Sequence, residues 1–220
     1  VIIHGGGARF AASAEPIGDT LNIDGRVTAG PGQVFAGYAH ITGALAGQRV
    51  EASWFGVDPT GQTDSTAALR SWALAVPSPG GEGHCDAGTY LISGTILQRS
   101  GTTLRCEGKA TVWKAAESFT GFNPPPYTFP FSTIDNTILV NENYDVPFHP
   151  TKKVDRDLSV HAITFDYSLP SARLVAGNKA VIYRMVANAS AVDIACFQVG
   201  DCTAMLASDT TLVLRLRARG

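Results

Sequence analysis

The chain has 220 residues, of which 45% are apolar, and a formal net charge of −2, enough for a well-buried core of one or two domains. It carries no broad basic field, which argues against nucleic acid as a partner. No apolar run approaches the roughly 18 residues that span a bilayer, so membrane insertion is not expected either.

Charged residues at 16%, with 23 Gly and 12 Pro, point to many short strands joined by turns. The opening Val1-Ile2-Ile3-His4 has neither the basic region nor the long apolar core of a secretion signal. His4-Gly5-Gly6-Gly7 precedes no helix and reads as a turn, not a phosphate loop. Residues 1–50 read as a β-rich leader or adaptor, with a short strand at Gln33 to Phe35. A turn follows Trp54-Phe55-Gly56: Asp58-Pro59-Thr60-Gly61-Gln62-Thr63-Asp64. The single convincing helix runs from Asp64 to Val76. Leu69, Trp72, Ala73 and Val76 share one face, Thr63 or Asp64 caps its start, and Pro77 ends it.

Beyond the helix the pattern is β. Strands are expected at Thr89–Ser93, Thr102–Arg105, Thr111–Lys114, Ile138–Asn141, Leu158–Asp166, Ala180–Val186, Val192–Val199, Ala204–Ala207 and Leu212–Leu216. The stretch from Phe119 to Asp135, with Asn123-Pro124-Pro125-Pro126-Tyr127, reads as a long loop. In the C-terminal half, Ala191–Phe197 overlies Thr211–Ala218 at a spacing near 21, and Leu158–Phe165 joins the same frame at an offset of 32. Three apolar columns follow: Val160, Val192 and Val213; Ile163, Ala195 and Leu216; Phe165, Phe197 and Ala218. Leu91 and Val112 are also 21 apart, as are Cys85 and Cys106. A coil of this size matches one turn of a parallel β-helix, with an antiparallel sandwich as the alternative. The first turn of a solenoid exposes backbone and core, and a short amphipathic helix placed just before it would cover that end.

The order of motifs strengthens this reading. Trp54-Phe55-Gly56, then Asp58 to Leu69, Asp86-Ala87-Gly88-Thr89-Tyr90 and Thr103-Leu104-Arg105-Cys106-Glu107-Gly108 resemble the opening of the pectin-lyase-like right-handed parallel β-helix superfamily. The likeness covers about residues 50 to 115. Departures are Val57 for Ala, Pro59-Thr60-Gly61 in the Asp-Gly turn, Asp86 for Pro, and Cys106 for a Gly. It implies an all-β solenoid over residues 51–220, capped by helix 64–76 and continuing past the chain end. Its structural motif residues would be Trp54, Phe55, Gly56, Gly61, Asp64, Thr66, Gly88, Tyr90 and Gly108. Asp19–Gly25 and Gln33–Gly37 resemble the lead-in strands of phage tailspikes and of secreted bacterial members.

The superfamily acts on polysaccharides at the outer face of its coils, through paired carboxylates or by elimination. Paired hydrolytic carboxylates lie roughly 5 to 9.5 Å apart. Asp155, Asp157, Asp166, Asp193, Asp201 and Asp209 are the available acids, and the 21-residue frame stacks no two of them. Asp166 shares a column with Gln198 and Arg219, while Asp201 and Asp209 suit turn caps. Arg215, Arg217 and Arg219 are the cations an elimination would need, and read more simply as a solvated edge. No catalytic residue is assigned. Cys85 and Cys106 read as buried thiols on neighbouring coils, not as a bridge; Cys196 reads as outward, with a bridge to Cys202 left open. No Cys or His spacing fits zinc, and His4, His40, His84, His149 and His161 are scattered. Neither cofactor nor metal is expected.

Three functions follow from the resemblance. One is a homotrimeric phage tailspike or tail-fibre protein, joined to the virion tail or baseplate through its N-terminal segment, that binds or depolymerises a bacterial surface polysaccharide, with any active site expected outside these residues. The second is a secreted bacterial lyase or hydrolase, and the third a non-catalytic adhesive β-helix. The absence of a signal segment and of a secreted cysteine framework favours the virion.

Overall fold

A computed structural model of the chain describes residues 10–11, 20–23, 27–36, 40–43, 48–120, 137–144, 151–169, 179–199, 201–206, 211–214 and 217–219. Strands β1 (Phe10–Ala11), β2 (Thr20–Ile23), β3 (Phe35–Ala36) and β4 (His40–Gly43) form two short parallel pairs, β1 with β3 and β2 with β4. Next come β5 (Arg49–Glu51), a 3-10 turn at Ala52–Phe55, β6 (Thr60–Asp64), helix α1 (Thr66–Ala75), β7 (Glu82–His84), β8 (Gly88–Gly94), β9 (Ile96–Gln98) and β10 (Thr103–Arg105). A second 3-10 turn at Gly108–Ala110 leads to β11 (Thr111–Thr120), β12 (Thr137–Asn141), β13 (Asp155–His161), β14 (Thr164–Asp166) and β15 (Lys179–Arg184). The remaining strands are β16 (Val186–Val192), β17 (Ala195–Phe197), β18 (Asp201–Leu206), β19 (Thr211–Leu214) and β20 (Arg217–Arg219).

These strands build three larger parallel sheets. The first runs β5-β7-β10-β13-β16-β19, the second β6-β8-β11-β14-β17-β20, and the third β9-β12-β15-β18. From β7 onward the chain visits the three sheets in a fixed rotation, so from β10 each strand pairs with the one three places earlier, while β7 and β8 pair with β5 and β6. Parallel neighbours need a long return connection, and here the other two sheets supply it. The chain is thus mostly β, with parallel sheets and few helices, consistent with a parallel β-helix fold. No helix among the described residues is long and apolar enough to cross a membrane.

Register corrects the expected columns. Val160 pairs with Ala191, and Ala191 with Val213, while Val192 pairs with His161 and Leu214. Phe165 pairs with Cys196, and Cys196 with Ala218. Ala195 pairs with Thr164 instead of stacking on Ile163, and Leu216 lies outside the described residues. In the second sheet Val112 pairs with Thr89 and Leu91 with Lys114, so the spacing there is two residues longer than expected. A one-residue slip exchanges the two faces of a strand. Accordingly Cys196 is buried at 4% exposure and Phe197 is outside at 38%.

The slip originates at corners made by non-glycine residues in the left-handed region. Ala162 (φ 59) separates β13 from β14, Asp193 (φ 55) separates β16 from β17, and Met185 (φ 54) separates β15 from β16. Most of these residue types give no turn signal, so Leu158–Asp166, Ala180–Val186 and Val192–Val199 read as single strands although each contains a corner. Both cysteine readings change as well. Cys85 is bridged to Cys106, whose Cα is 4.7 Å away on the neighbouring strand end, and Cys196 is bridged to Cys202.

Helix α1 packs against β4, β5, β8 and β9. Leu69, Trp72, Ala73 and Val76 are all fully buried. The Trp72 indole N–H donates to the Val50 carbonyl at 2.8 Å, and its ring begins an edge-to-face column. Trp72 lies 6.3 Å from Trp113, which lies 5.8 Å from Phe165. Tyr90, in register with Trp113, is inside; burial pushes its hydroxyl up to about 12, and that hydroxyl donates to the Asp86 carbonyl. Gly83 stands between Val50 and Leu104 on the inner face. A Cβ there would come within 2.8 Å of the Trp72 ring, so the cap itself requires glycine.

The turn before α1 is organised by Asp58. Its Oδ1 accepts from the Thr60 N–H and hydroxyl, and its Oδ2 from the Gln62 and Thr63 N–H groups and the Thr63 hydroxyl. These bonds, led by the Thr60 hydroxyl, hold its carboxyl well below the usual range. The N-cap of α1 is Ser65, not the expected Thr63 or Asp64; Asp64, one residue earlier, accepts from the Thr66 N–H at 2.9 Å and also accepts the Thr66 and Ser93 hydroxyls. Trp54 and Phe55 are buried, and the Phe55 ring lies 5.2 Å from Phe35. Gly56, Gly61 and Gly108 have positive φ. Gly88 (φ 154) passes so close to Pro59 that an added Cβ would sit 2.5 Å from the proline Cβ. Gly88→Ala is therefore expected to cost about 3 kcal/mol through overpacking and backbone strain, read as a lower midpoint in urea at unchanged slope.

Candidate functional site

Strand alternation gives the first sheet an inner row of Val50, Gly83, Leu104, Val160 and Ala191, and two outer rows flanking it. One outer row holds Arg49, Glu82, Thr103, Ser159 and Ser190. The other holds Glu51, His84, Arg105, His161 and Val192. Charge is concentrated on the first strands and gives way to hydroxyls further along.

At the charged end, His84 is clasped by two acids. Its Nδ1 lies 2.8 Å from Glu51 Oε2 and its Nε2 lies 2.8 Å from Glu107 Oε1. Two carboxylate partners require both ring nitrogens to donate. The Glu51 bond is the chief cause that raises the His84 value above its ordinary 6.5, against the opposing effect of burial. Burial of Glu51 would raise its own value, but hydrogen bonds from His84 and Arg49 outweigh it and hold the carboxyl below 4.5. Glu51, His84 and Asp86 bring one ligand atom each to within 4.8 Å. With both imidazole nitrogens engaged, that arrangement is an ion-pair clasp joining three stacked strands. Arg105 reaches Glu82 at 3.3 Å. His161, next along the row, is held below 6.5 by burial and by Arg105, so it is neutral at pH 7.

The clasp carries a pH dependence. Because pairing raises the His84 value, its stabilisation is complete below pH 6.5 and fades as the pH rises through the raised value. The depressed Glu51 value adds an acid limb: stabilisation is present above pH 4.5 and lost as the pH falls below it. His84→Gln is expected to cost about 2 kcal/mol near pH 6, discounted on the Glu107 side because that carboxylate is half exposed. It should also remove the alkaline decline in Tm, measured from pH 5 to 9.

Beside the hydroxyl row lies an open groove of about 560 Å³, whose polar lining is Thr103, Asp157, Ser159, Asn188 and Ser190 and whose remaining lining includes Pro79, Gly80, Gly101 and Ala189. The Ser159 and Ser190 hydroxyls are hydrogen-bonded at 2.7 Å, and Asn188 Nδ2 donates to Asp157 Oδ1 at 2.9 Å. Asp157 (φ 54) and Asn188 (φ 60) are both left-handed, a conformation Asn and Asp adopt more readily than other side chains. They make matching kinks in β13 and β16, and these bring their side chains together.

Of the expected acids, only Asp157 enters this groove. Asp155 is buried at 2% exposure and accepts from Asn141 Nδ2 and from the Asn143 N–H and Nδ2; it is a structural group. Asp166 caps a turn, accepting the Ser168 N–H at 2.7 Å, and pairs with Phe197 in place of the expected Gln198. Asp193 forms a corner. Asp201 begins β18, and Arg217 and Arg219 bound β20. Asp209, Arg215, His4 and His149 lie outside the described residues, as does 121–135 of the expected loop. Sequence reading missed Glu51, Glu82, His84, Arg105 and Glu107. Strands β5 and β7 are three residues each, and Gly83 hides the apolar centre of the second. The usable signal was the 21-residue spacing of Glu82-Gly83-His84 and Thr103-Leu104-Arg105, which the register confirms.

No protein-family model and no curated protein sequence matches the chain. Solved structures do resemble it. A Yersinia enterocolitica family 28 exopolygalacturonase matches at 13% identity and TM-score 0.60, over 78% of this chain and 38% of that one. The A-module of the Azotobacter vinelandii mannuronan C-5 epimerase AlgE6 matches at 14% and 0.51, over 76% and 41%. Geobacillus virus E2 ORF18 matches at 16% and 0.51, over 79% and 37%. The chain thus spans about two fifths of the length of each. At this identity the likeness shows the fold alone.

Proposed function

We propose that the chain is the opening part of a right-handed parallel β-helix that binds a bacterial surface polysaccharide along the outer face of its first sheet, in a phage tailspike or tail-fibre protein. The observation that carries this reading is the groove across β10, β13 and β16, where hydroxyls recur from strand to strand at Thr103, Ser159 and Ser190 beside the Asp157 carboxylate and the Asn188 amide. An extended sugar chain presents hydroxyls at similar intervals and is recognised by such groups. In this reading residues 1–50 join other tail or baseplate proteins, the assembly is a homotrimer, and the protein resides in the virion tail. The resemblance to a Geobacillus virus protein supports the viral setting.

The second reading, a secreted polysaccharide-acting enzyme, is favoured by the resemblance to an exopolygalacturonase and an epimerase. Among the described residues a single carboxylate lines the groove, whereas glycoside hydrolysis ordinarily employs two.

The test is binding of the chain to immobilised surface polysaccharides from a panel of bacteria, before and after Ser190→Trp fills the groove. Binding lost by the variant at unchanged Tm is the expected result; equal binding by both proteins removes the groove from the account. Unsaturated sugars or new reducing ends in the same mixtures would move the reading to the enzyme.

A further inference from the structure

We infer that this groove selects an uncharged glycan, a hexose or N-acetylhexosamine chain, and discriminates against uronate polymers; this rests on the preceding reading that the groove binds polysaccharide. The charge of its lining is the basis. Among the described residues, Asp157 is the sole ionisable group lining the groove and no cation lines it. Asp157 Oδ1 accepts from Asn188, which leaves Oδ2 to accept a sugar hydroxyl. The Ser159 and Ser190 hydroxyls share one proton between them and retain a second donor for a ligand.

Two cations on the same sheet are already engaged. Arg49 Nε lies 2.7 Å from Glu51 and Arg105 Nε lies 3.3 Å from Glu82. The exposed Arg156 contributes its backbone, whose carbonyl accepts the Gly101 N–H at 2.7 Å, and its side chain is not part of the lining. A sugar carboxylate placed here would meet Asp157 with no lining cation to compensate it, a repulsive element of the kind that sets specificity. The mannuronan and polygalacturonate named for two of the similar structures are polyanions, so this groove is built for a different sugar.

The test uses the whole chain on an array of uncharged bacterial polysaccharides and glucans, with polygalacturonate and alginate as acidic probes. Uncharged chains are expected to bind at least about ten-fold tighter than either polyanion at low salt, and the gap should narrow as salt screens the repulsion. Asp157→Asn keeps a residue that tolerates the left-handed backbone and keeps an acceptor for Asn188. It also turns the sugar-facing Oδ2 acceptor into an amide donor, so polyanion affinity should rise about ten-fold while binding of uncharged chains weakens, and the preference for uncharged chains is lost. A preference for polygalacturonate or alginate that Ser190→Trp abolishes would overturn the selectivity and leave the groove reading intact. Binding to every probe unaffected by Ser190→Trp, or binding to none, would overturn the groove reading and the selectivity with it.

Discussion

Replacing Trp72 with alanine is expected to lower the free energy of unfolding by about 4 kcal/mol, in the range for a buried aromatic truncated without room to collapse. The indole is fully buried, begins the column that continues through Trp113 and Phe165, and donates to the Val50 carbonyl. Truncation opens a cavity between α1 and the first coil and leaves the Val50 carbonyl without that donor. Gly83 beneath the ring has no side chain to fill the space. Urea unfolding followed by far-ultraviolet circular dichroism measures the loss. If α1 only decorates the surface, the change will be under about 1 kcal/mol, as for substitutions away from a core.

Asp155→Ala is expected to cost about 3 kcal/mol, because hydrogen bonds to a charged acceptor are worth roughly 1.5 to 3 each and their loss strands buried donors. Asp155 accepts from Asn141 Nδ2, while Asn141 also donates to the Arg184 carbonyl and accepts the Arg184 N–H. The fully buried Asn141 thus links the end of β12 to β13 and β15, with Asp155 as its charged anchor. In the next position along, Gln98 is in register with Asn141; it donates to the Thr102 and Ser159 carbonyls and accepts the Tyr183 hydroxyl. This polar ladder runs inside the third sheet, and a half-satisfied ladder is worse than none. Thermal unfolding should show the loss while polysaccharide binding per folded molecule is unchanged; a selective loss of binding at full stability would instead return Asp155 to the site.

The end cap and its turn were legible because their signals are local. Leu69, Trp72, Ala73 and Val76 recur at helical spacing, and Asp58, Asp64 and Gly88 satisfy backbone groups or close approaches within the same short stretch. Register was not legible. Ala191 and Val192 are both acceptable inner residues, and the corner at Asp193 that decides between them depends on φ rather than on hydrophobicity. That single step placed Cys196 outside and Phe197 inside, the reverse of the structure. The site divided in the same way. Asp157 was visible as one acid among several, but its pairing with Asn188 needs both left-handed kinks, and the two acids that clasp His84 come from β5 and from the turn after β10.

Everything about the groove depends on β13 lying beside β16 with Ser159 opposite Ser190. Introducing Ser159→Cys together with Ser190→Cys, oxidising mildly and mapping the peptides tests that directly, since in-register neighbours lie within bridging distance. The expected result is a bridge between the two introduced thiols in the folded chain and none when Ser159→Cys is combined with Ala191→Cys. The opposite pattern, or no bridge from either pair, would contradict the stacked arrangement on which the binding face is built.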